Sequence, residues 1–383
     1  MSPALDTLTE DHAAVYDRQL RVWGVEVQRR LMDAKVLIIG LGGLAAEIAK
    51  NIVLAGVGTV TLLDNTPATS AAPGNFLVEP GSAAGKSVAE ACAATLQAMN
   101  PLMTVRVEPG PPSTAALLQQ QQQQDPAEAT PPPEAAASAA ATAAPAEALR
   151  SLVSRYDTVV ACGLPLRELA ALSELCRGLG RQLFAGGVRG ASSFVFVDLG
   201  PRHTYTVKGE AGEKVFEYGS FRSTMSADLA AVGKRTHPLY LVLRACWEFE
   251  EAHSRPAAGP ADVAAVRLAA ERLAAATAAA KAGGGAAAAL LPEGLVESFV
   301  LDAAAPSSPA AAEPQSEPEA AEAAAAAEPL GELAPVCAVV GGVVANNVLR
   351  AVSHVGPPLR NLFCYSLLVR DGLGMEECFV GAA

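Results

Sequence analysis

Residues 40–47, GLGGLAAE, follow the apolar run KVLIIG (35–40) and precede IAKNIVLAGVG (48–58). Gly40, Gly42 and Ala45 fit the G-x-G-x-x-G/A turn that joins a buried strand to a helix, with Gly43 as a third glycine in it. Leu44, Ile48 and Ile52 recur every four residues, so the segment after the turn reads as a helix with one apolar face. The next apolar run, TVTLLD (59–64), ends in Asp64, where a ribose-binding acid belongs in a dinucleotide site. Glycines at such a turn let backbone N–H groups approach a phosphate at a helix N-terminus. They also let a helix pack closely on its sheet, so the turn alone leaves two readings open: a nucleotide site, or tight packing only.

The rest of the chain extends this pattern. MTVRVE (103–108), YDTVVAC (156–162), RQLFAG (181–186) and SSFVFVDL (192–199) read as strands. KSVAEACAATLQAM (86–99) and PLRELAALSELCRGLG (165–180) read as the helices between them. Strands that alternate with helices imply a mainly parallel sheet covered on both faces, an α/β Rossmann-like fold. Residues 111–148 and 303–330 are low-complexity and poor in large apolar side chains, so they are expected to be a disordered insertion and a disordered linker. The expected organisation is then 1–110 and 149–205 as two parts of the α/β domain, and 206–302 as a mostly helical insertion. Residues 331–383, with the apolar helix APVCAVVGGVVANNVLRAVS (334–353) and a final strand NLFCYSLL (361–368), complete the domain.

The 383 residues include 28 Lys and Arg against 40 Asp and Glu, a net charge of −12, which argues against nucleic acid as the main partner. Alanine inflates the hydrophobic fraction of 51%, and no run of 18 strongly apolar residues is read as a membrane span. The N-terminus is polar and acidic, without the apolar region of a secretory signal. The expected location is the nucleus, with the cytoplasm as the alternative. The seven cysteines are scattered and form no C-x-x-C pair, so neither a zinc site nor a disulfide framework is expected.

The segment before the first strand, YDRQLRVWGVEVQRRL (16–31), carries Tyr16, Leu20, Trp23, Val27 and Leu31 at steps of three and four, the stripe of a docked helix. Arg18 and Arg21 lie off that stripe. They are either a solvated pair or guanidiniums placed to meet a phosphate.

YDRQLRVWG followed by KVLIIGLGGLAAEIAKNIVLAGVGTVTLLD resembles the ubiquitin-like-protein activating enzymes and their bacterial relatives ThiF and MoeB. APVCAVVGGVVANNVLRAVS is most similar to the SUMO-activating branch, in its smaller, non-thioester subunits. The resemblance covers roughly residues 15–110, 150–200 and 333–370. It implies a ThiF/MoeB-type adenylation fold that pairs with a second, larger catalytic subunit. It further implies that ATP and Mg are bound mainly by that partner, which carries the thioester cysteine. SUMO would be the modifier, and a conjugating enzyme would be engaged through the complex. Arg18 of the Tyr-x-Arg-Gln segment would act in trans on the partner's ATP, with Arg21 a second candidate on the same surface.

Several features of an active half are missing. The segment DNTPATSAAPGNFLV (64–78) keeps Asp64 but puts Gly74 and Asn75 where the resemblance implies a phosphate-binding arginine. AAGKSVAEA (83–91) has Val88 at the implied lysine position, with Lys86 two residues earlier. VVACGLPLRE (159–168) has Gly163 at the implied magnesium aspartate. Gly40, Gly42, Gly43 and Asp64 therefore read as a vestigial nucleotide turn, and no metal site is expected. Cys162, Cys176 and Cys337 sit in apolar contexts that suit structural thiols. Competing readings are the equivalent subunit for the cullin-modifying protein, a homodimeric adenylyltransferase, a nicotinamide-dependent dehydrogenase, and a pure scaffold. The dehydrogenase reading lacks a His–acid pair, because His203, His237 and His253 fall in loops or in the helical insertion.

Overall fold

The computed structural model describes residues 8–70, 74–79, 81, 83–109, 146–230, 232, 236–280, 291–302, 331–369 and 374–377. An eight-stranded sheet organises the chain. Its strands are β1 (Lys35–Ile39), β2 (Thr59–Leu63), β3 (Thr104–Val107), β4 (Thr158–Cys162), β5 (Gln182–Arg189), β6 (Ser192–Asp198), β9 (Leu362–Ser366) and β10 (Gly374–Glu377), in the order β10-β9-β6-β5-β4-β1-β2-β3. Strands β7 (His203–Thr206) and β8 (Glu213–Phe216) form a separate hairpin.

The five strands from β3 to β5 pair in parallel, as the alternating pattern predicts, whereas β6, β9 and β10 join antiparallel. Only the short turn at Gly190 separates β5 from β6, and a connection that short can make only an antiparallel pair. NLFCYSLL is not the last strand, because β10 follows it and pairs Glu377 with Leu362.

Both faces of the central parallel strands β1, β2, β4 and β5 are largely buried, and side chains alternate between them. Leu37, Ile39, Val159 and Ala161 belong to one hydrophobic cluster; Val36, Ile38, Val160 and Cys162 belong to the other. The second cluster is closed by α3 (Gly43–Leu54), α4 (Val88–Met99) and α10 (Ala334–Ser353). The first is closed by α5 (Leu166–Gly178), α6 (Phe221–Met225), α7 (Leu239–His253), α8 (Pro260–Ala280) and α9 (Leu295–Leu301). The helices of 206–302 thus cover much of one face of the sheet, together with α5. The helical residues 146–153 join the same cluster through Ala146, Leu149, Leu152 and Val153. The expected insertion therefore stops short of 148, because Ala146 is already a core residue. The rest of that insertion, and the linker 303–330, lie outside the described residues.

Among the described residues, α10 is long and apolar enough to span a membrane by length and composition, with mean hydropathy 1.6, contrary to the expectation from the sequence. Its apolar character has a packing cause: Val336, Val340, Val344 and Val348 are buried against the α3 side of the sheet. Gly341 allows the contact, since a Cβ there would lie 2.5 Å from Glu47 Cβ on α3.

The N-terminal segment departs from a single straight helix. α1 (Glu10–Val15) precedes α2 (Asp17–Asp33), and α2 breaks at Gly24, where φ is 86° and ψ 170°. The apolar stripe hides this break because its spacing continues across it. Tyr16 sits at the N-cap of α2, fully buried, and its hydroxyl accepts from Asn100 Nδ2 at 2.9 Å. Trp23 Nε1 donates to Gln28 Oε1 at 3.1 Å, and Gln28 Nε2 donates to the carbonyl of Ala55 at 3.1 Å.

Gly341→Val is expected to lower unfolding free energy by about 1–3 kcal/mol through overpacking. A urea titration reads this as a lower midpoint at unchanged slope. An unmoved midpoint would mean that α10 does not press on α3 at this position.

Candidate functional site

The sheet reverses its strand order at β1. From β1 the chain crosses through α3 to β2 on one side, while β4 lies on the other. The crevice above such a reversal, at the carboxyl ends of the strands, is where open α/β sheets hold ligands. The glycine turn lies there. Gly40 has φ 76°, and a Cβ on it would overlap the carbonyl of Cys162 at the end of β4. Gly42 is the N-cap of α3 and supplies no side-chain cap.

The turn's polar groups are bonded within the chain. Leu41 N–H donates to Asp64 Oδ2 at 2.8 Å. Asp64 Oδ1 accepts from Thr66 N at 3.1 Å and from Thr66 Oγ1 at 2.6 Å, so both carboxylate oxygens are engaged. Asn75, buried, donates through Nδ2 to the carbonyl of Leu41 at 2.6 Å and accepts from Leu77 N at 3.0 Å. Gly43 N–H donates to Glu332 Oε2 in a very short contact. The backbone of Gly74 lies on Gly43, and a Cβ on Gly43 would be 2.9 Å from it.

The structure therefore gathers Gly40, Gly42, Gly43 and Asp64 as the sequence implied. It does not bring Arg18 or Arg21 to them. The start of α2 packs at the other end of α3, where Gln19 Nε2 donates to the carbonyl of Leu54 at 3.3 Å. α3 has 12 residues, so that end lies about 18 Å from the turn. Arg21 is exposed and ion-paired with Asp17 at 2.9 Å, one helical turn away. Arg18 is exposed and makes no hydrogen bond or ion pair among the described residues.

The ThiF family profile matches residues 16–378. The chain belongs to the ThiF family. Among its relatives, SUMO-activating enzyme subunit 1B-1 of Arabidopsis thaliana is 30% identical over 379 residues, covering 97% of each chain. SUMO-activating enzyme subunit 1 of Homo sapiens is 27% identical over 402 residues, covering 97% of this chain and 96% of the relative. The solved structure of PaaA covers 98% of this chain and 85% of its own, at a TM-score of 0.50 and 14% identity, a likeness of fold. ThiF membership sets aside the dehydrogenase reading.

At the positions where this ThiF member departs from the expected pattern, Asn75 and Val88 are buried and Gly163 is an exposed turn residue. Val88 is buried at the first turn of α4, while Lys86 is exposed. Ser87 caps α4 reciprocally with Glu90. Gly163 has φ 73°, and its N–H donates to the carbonyl of Gly186 at 3.0 Å. Among the described residues no group of three or more His, Cys, Asp or Glu could hold a metal ion. Glu332 is the site residue that sequence reading missed. It lies 289 positions from Gly43, in a GEL tripeptide that carries no local signal.

Six cysteines are described, all buried and none in a disulfide; Cys378 lies outside the described residues. Burial pushes the thiols of Cys92 and Cys246 up to about 11 and that of Cys337 to about 12, and raises Cys162 and Cys176 further. A thiol held protonated in this way is a poor nucleophile at neutral pH. Iodoacetamide at pH 7 should therefore leave these five and the buried Cys364 unmodified until denaturant is added, as read by peptide mass mapping. Rapid alkylation of any of them in the native chain would contradict the packing described.

Proposed function

We propose that the chain is the smaller, non-thioester subunit of a heterodimeric SUMO-activating enzyme. The observation that carries this reading is similarity along nearly the whole chain to SUMO-activating enzyme subunit 1 of plants and mammals. In this reading the larger subunit binds ATP and magnesium and carries the cysteine. The carboxylate of the SUMO C-terminus attacks the α-phosphate of ATP there, and pyrophosphate leaves. The partner's thiol then attacks the acyl adenylate and AMP leaves. A conjugating enzyme takes the modifier from the complex, and the nucleus is its place of action.

Geometry within the chain supports the division of labour. The amides and acid of the chain's own turn are bonded to its own side chains, and the residues at 74–75, 88 and 163 supply neither a cation for phosphate nor a carboxylate for magnesium. Arg18 stands exposed at the far end of α3, away from the chain's own turn, which supports a role toward a neighbouring subunit. A guanidinium there would compensate charge on the partner's ATP phosphates as negative charge shifts to the leaving pyrophosphate. Its contribution is electrostatic and involves no proton transfer.

The test is ATP–pyrophosphate exchange dependent on SUMO. The isolated chain should give none, and the complex with the large subunit should exchange. Arg18→Ala should lower exchange by the complex roughly tenfold or more without changing its elution in gel filtration. Robust exchange by the isolated chain would end the division of labour. Wild-type exchange by an intact Arg18→Ala complex would reduce the subunit to a scaffold.

A further inference from the structure

The N-terminus of α3 has no side-chain cap of its own, yet its first amides are bonded. Gly43 N–H donates to Glu332 Oε2, and the Leu44 amide beside it also helps hold that carboxyl in its charged form. The partial positive charge at a helix start favours an anion, and the anion here is a side chain from the other end of the chain. Gly42 makes room for it, because a Cβ on Gly42 would overlap Glu332 Oε2. The glycine that would let a phosphate approach the backbone instead lets a carboxylate do so.

The carboxylate is held there from behind. Gly190 N–H donates to the carbonyl of Gly331 at 2.7 Å, and Gly190 and Glu332 form a parallel bridge. Leu333 then caps α10, whose face is packed on α3. Glu332 is thus fixed between the β5–β6 turn and a core helix. On the opposite side Gly74 closes the approach, with its own Cβ direction blocked by the carbonyl of Glu332 at 2.9 Å. Burial pushes the Glu332 carboxyl above the usual carboxylate range, and the amides of Gly43 and Leu44 oppose that rise.

We infer that Glu332 is an intramolecular substitute for a nucleotide phosphate, a strap that occupies the anion position of the glycine turn and closes it to ATP and pyrophosphate. The strap accounts for the retention of Gly42 and Gly43 in a turn without phosphate-binding cations. It does not depend on which modifier or partner the chain serves.

The experiment uses the full-length chain and inorganic pyrophosphate, with binding measured by calorimetry at constant ionic strength. Wild type should show no saturable binding at millimolar pyrophosphate. Glu332→Ala should bind at least roughly tenfold more tightly, the scale of a helix-terminus anion contact. A folded Glu332→Ala chain that binds no better than wild type would overturn the proposal and leave Glu332 a structural cap. So would saturable binding by wild type that Glu332→Ala abolishes. Glu332→Gln keeps the shape and one acceptor oxygen, and serves if the alanine variant fails to fold. In it the Gly43 and Leu44 amides should exchange with solvent at least roughly tenfold faster than in wild type, at a rate that added pyrophosphate slows again. Exchange unchanged from wild type, or unaffected by pyrophosphate, would overturn the proposal. SUMO-dependent exchange by the heterodimer is a separate readout, so the two readings fail independently.

Discussion

Helix α3 is held at both ends and along one side, and the fold is arranged around that grip. At its C-terminal end three amides from distant segments reach its last carbonyls: Asn100 to Val53 at 2.8 Å, Gln19 to Leu54 at 3.3 Å, and Gln28 to Ala55 at 3.1 Å. At its N-terminal end Glu332 takes the amides that a helix start leaves open. Along its flank α10 lies close enough that Gly341 admits no side chain. The two helices bury Leu44, Ile48, Ile52, Val336, Val340 and Val344 together over the sheet. A buried polar group left orphaned costs about 1–3 kcal/mol, so the buried bonds from Asn100 and Gln28 specify geometry as well as contributing stability.

The same grip separates the chemistry into two ends. The crevice end of α3 carries the nucleotide-like turn, and three of its polar side chains are bonded within the chain: Asp64 with Leu41 and Thr66, Asn75 with Leu41 and Leu77, Glu332 with Gly43. The far end carries Arg18, exposed. A catalytic half of an adenylating enzyme has to concentrate positive charge where pyrophosphate leaves. This chain instead places a carboxylate at its own turn and its exposed guanidinium elsewhere. In the proposed reading, its contribution to a reaction lies at a surface rather than in a cavity.

The cysteines show the same division. Thiols in apolar surroundings act as small core groups. Cys162 lies beside the turn at the end of β4, and Cys337 opens the buried side of α10, near Glu332. Burial is the main cause that keeps the thiols protonated, and at Cys162 and Cys337 the carboxylate that caps the helix adds to it.

Local periodicity and turn chemistry were legible in the sequence. The strand–turn–helix at 35–54, the helix 334–353 and the parallel strands follow from apolar spacing and from glycines at fixed offsets, which depend only on neighbours along the chain, whereas the family came from the resemblance of whole segments such as YDRQLRVWG. The break at Gly24 escaped because a stripe at steps of three and four stays continuous across one residue of altered φ. The antiparallel edge escaped because strand direction is set by connection geometry, and the short strand 374–377 because its pairing with β9 is a tertiary fact. The identity of the anion at the helix start was least accessible. Glu332 is one glutamate among many in an acidic chain, and what selects it is the docking of Gly331 on Gly190 and of α10 on α3. Those contacts join residues far apart in the chain, and only the folded packing could decide which acid fills the turn.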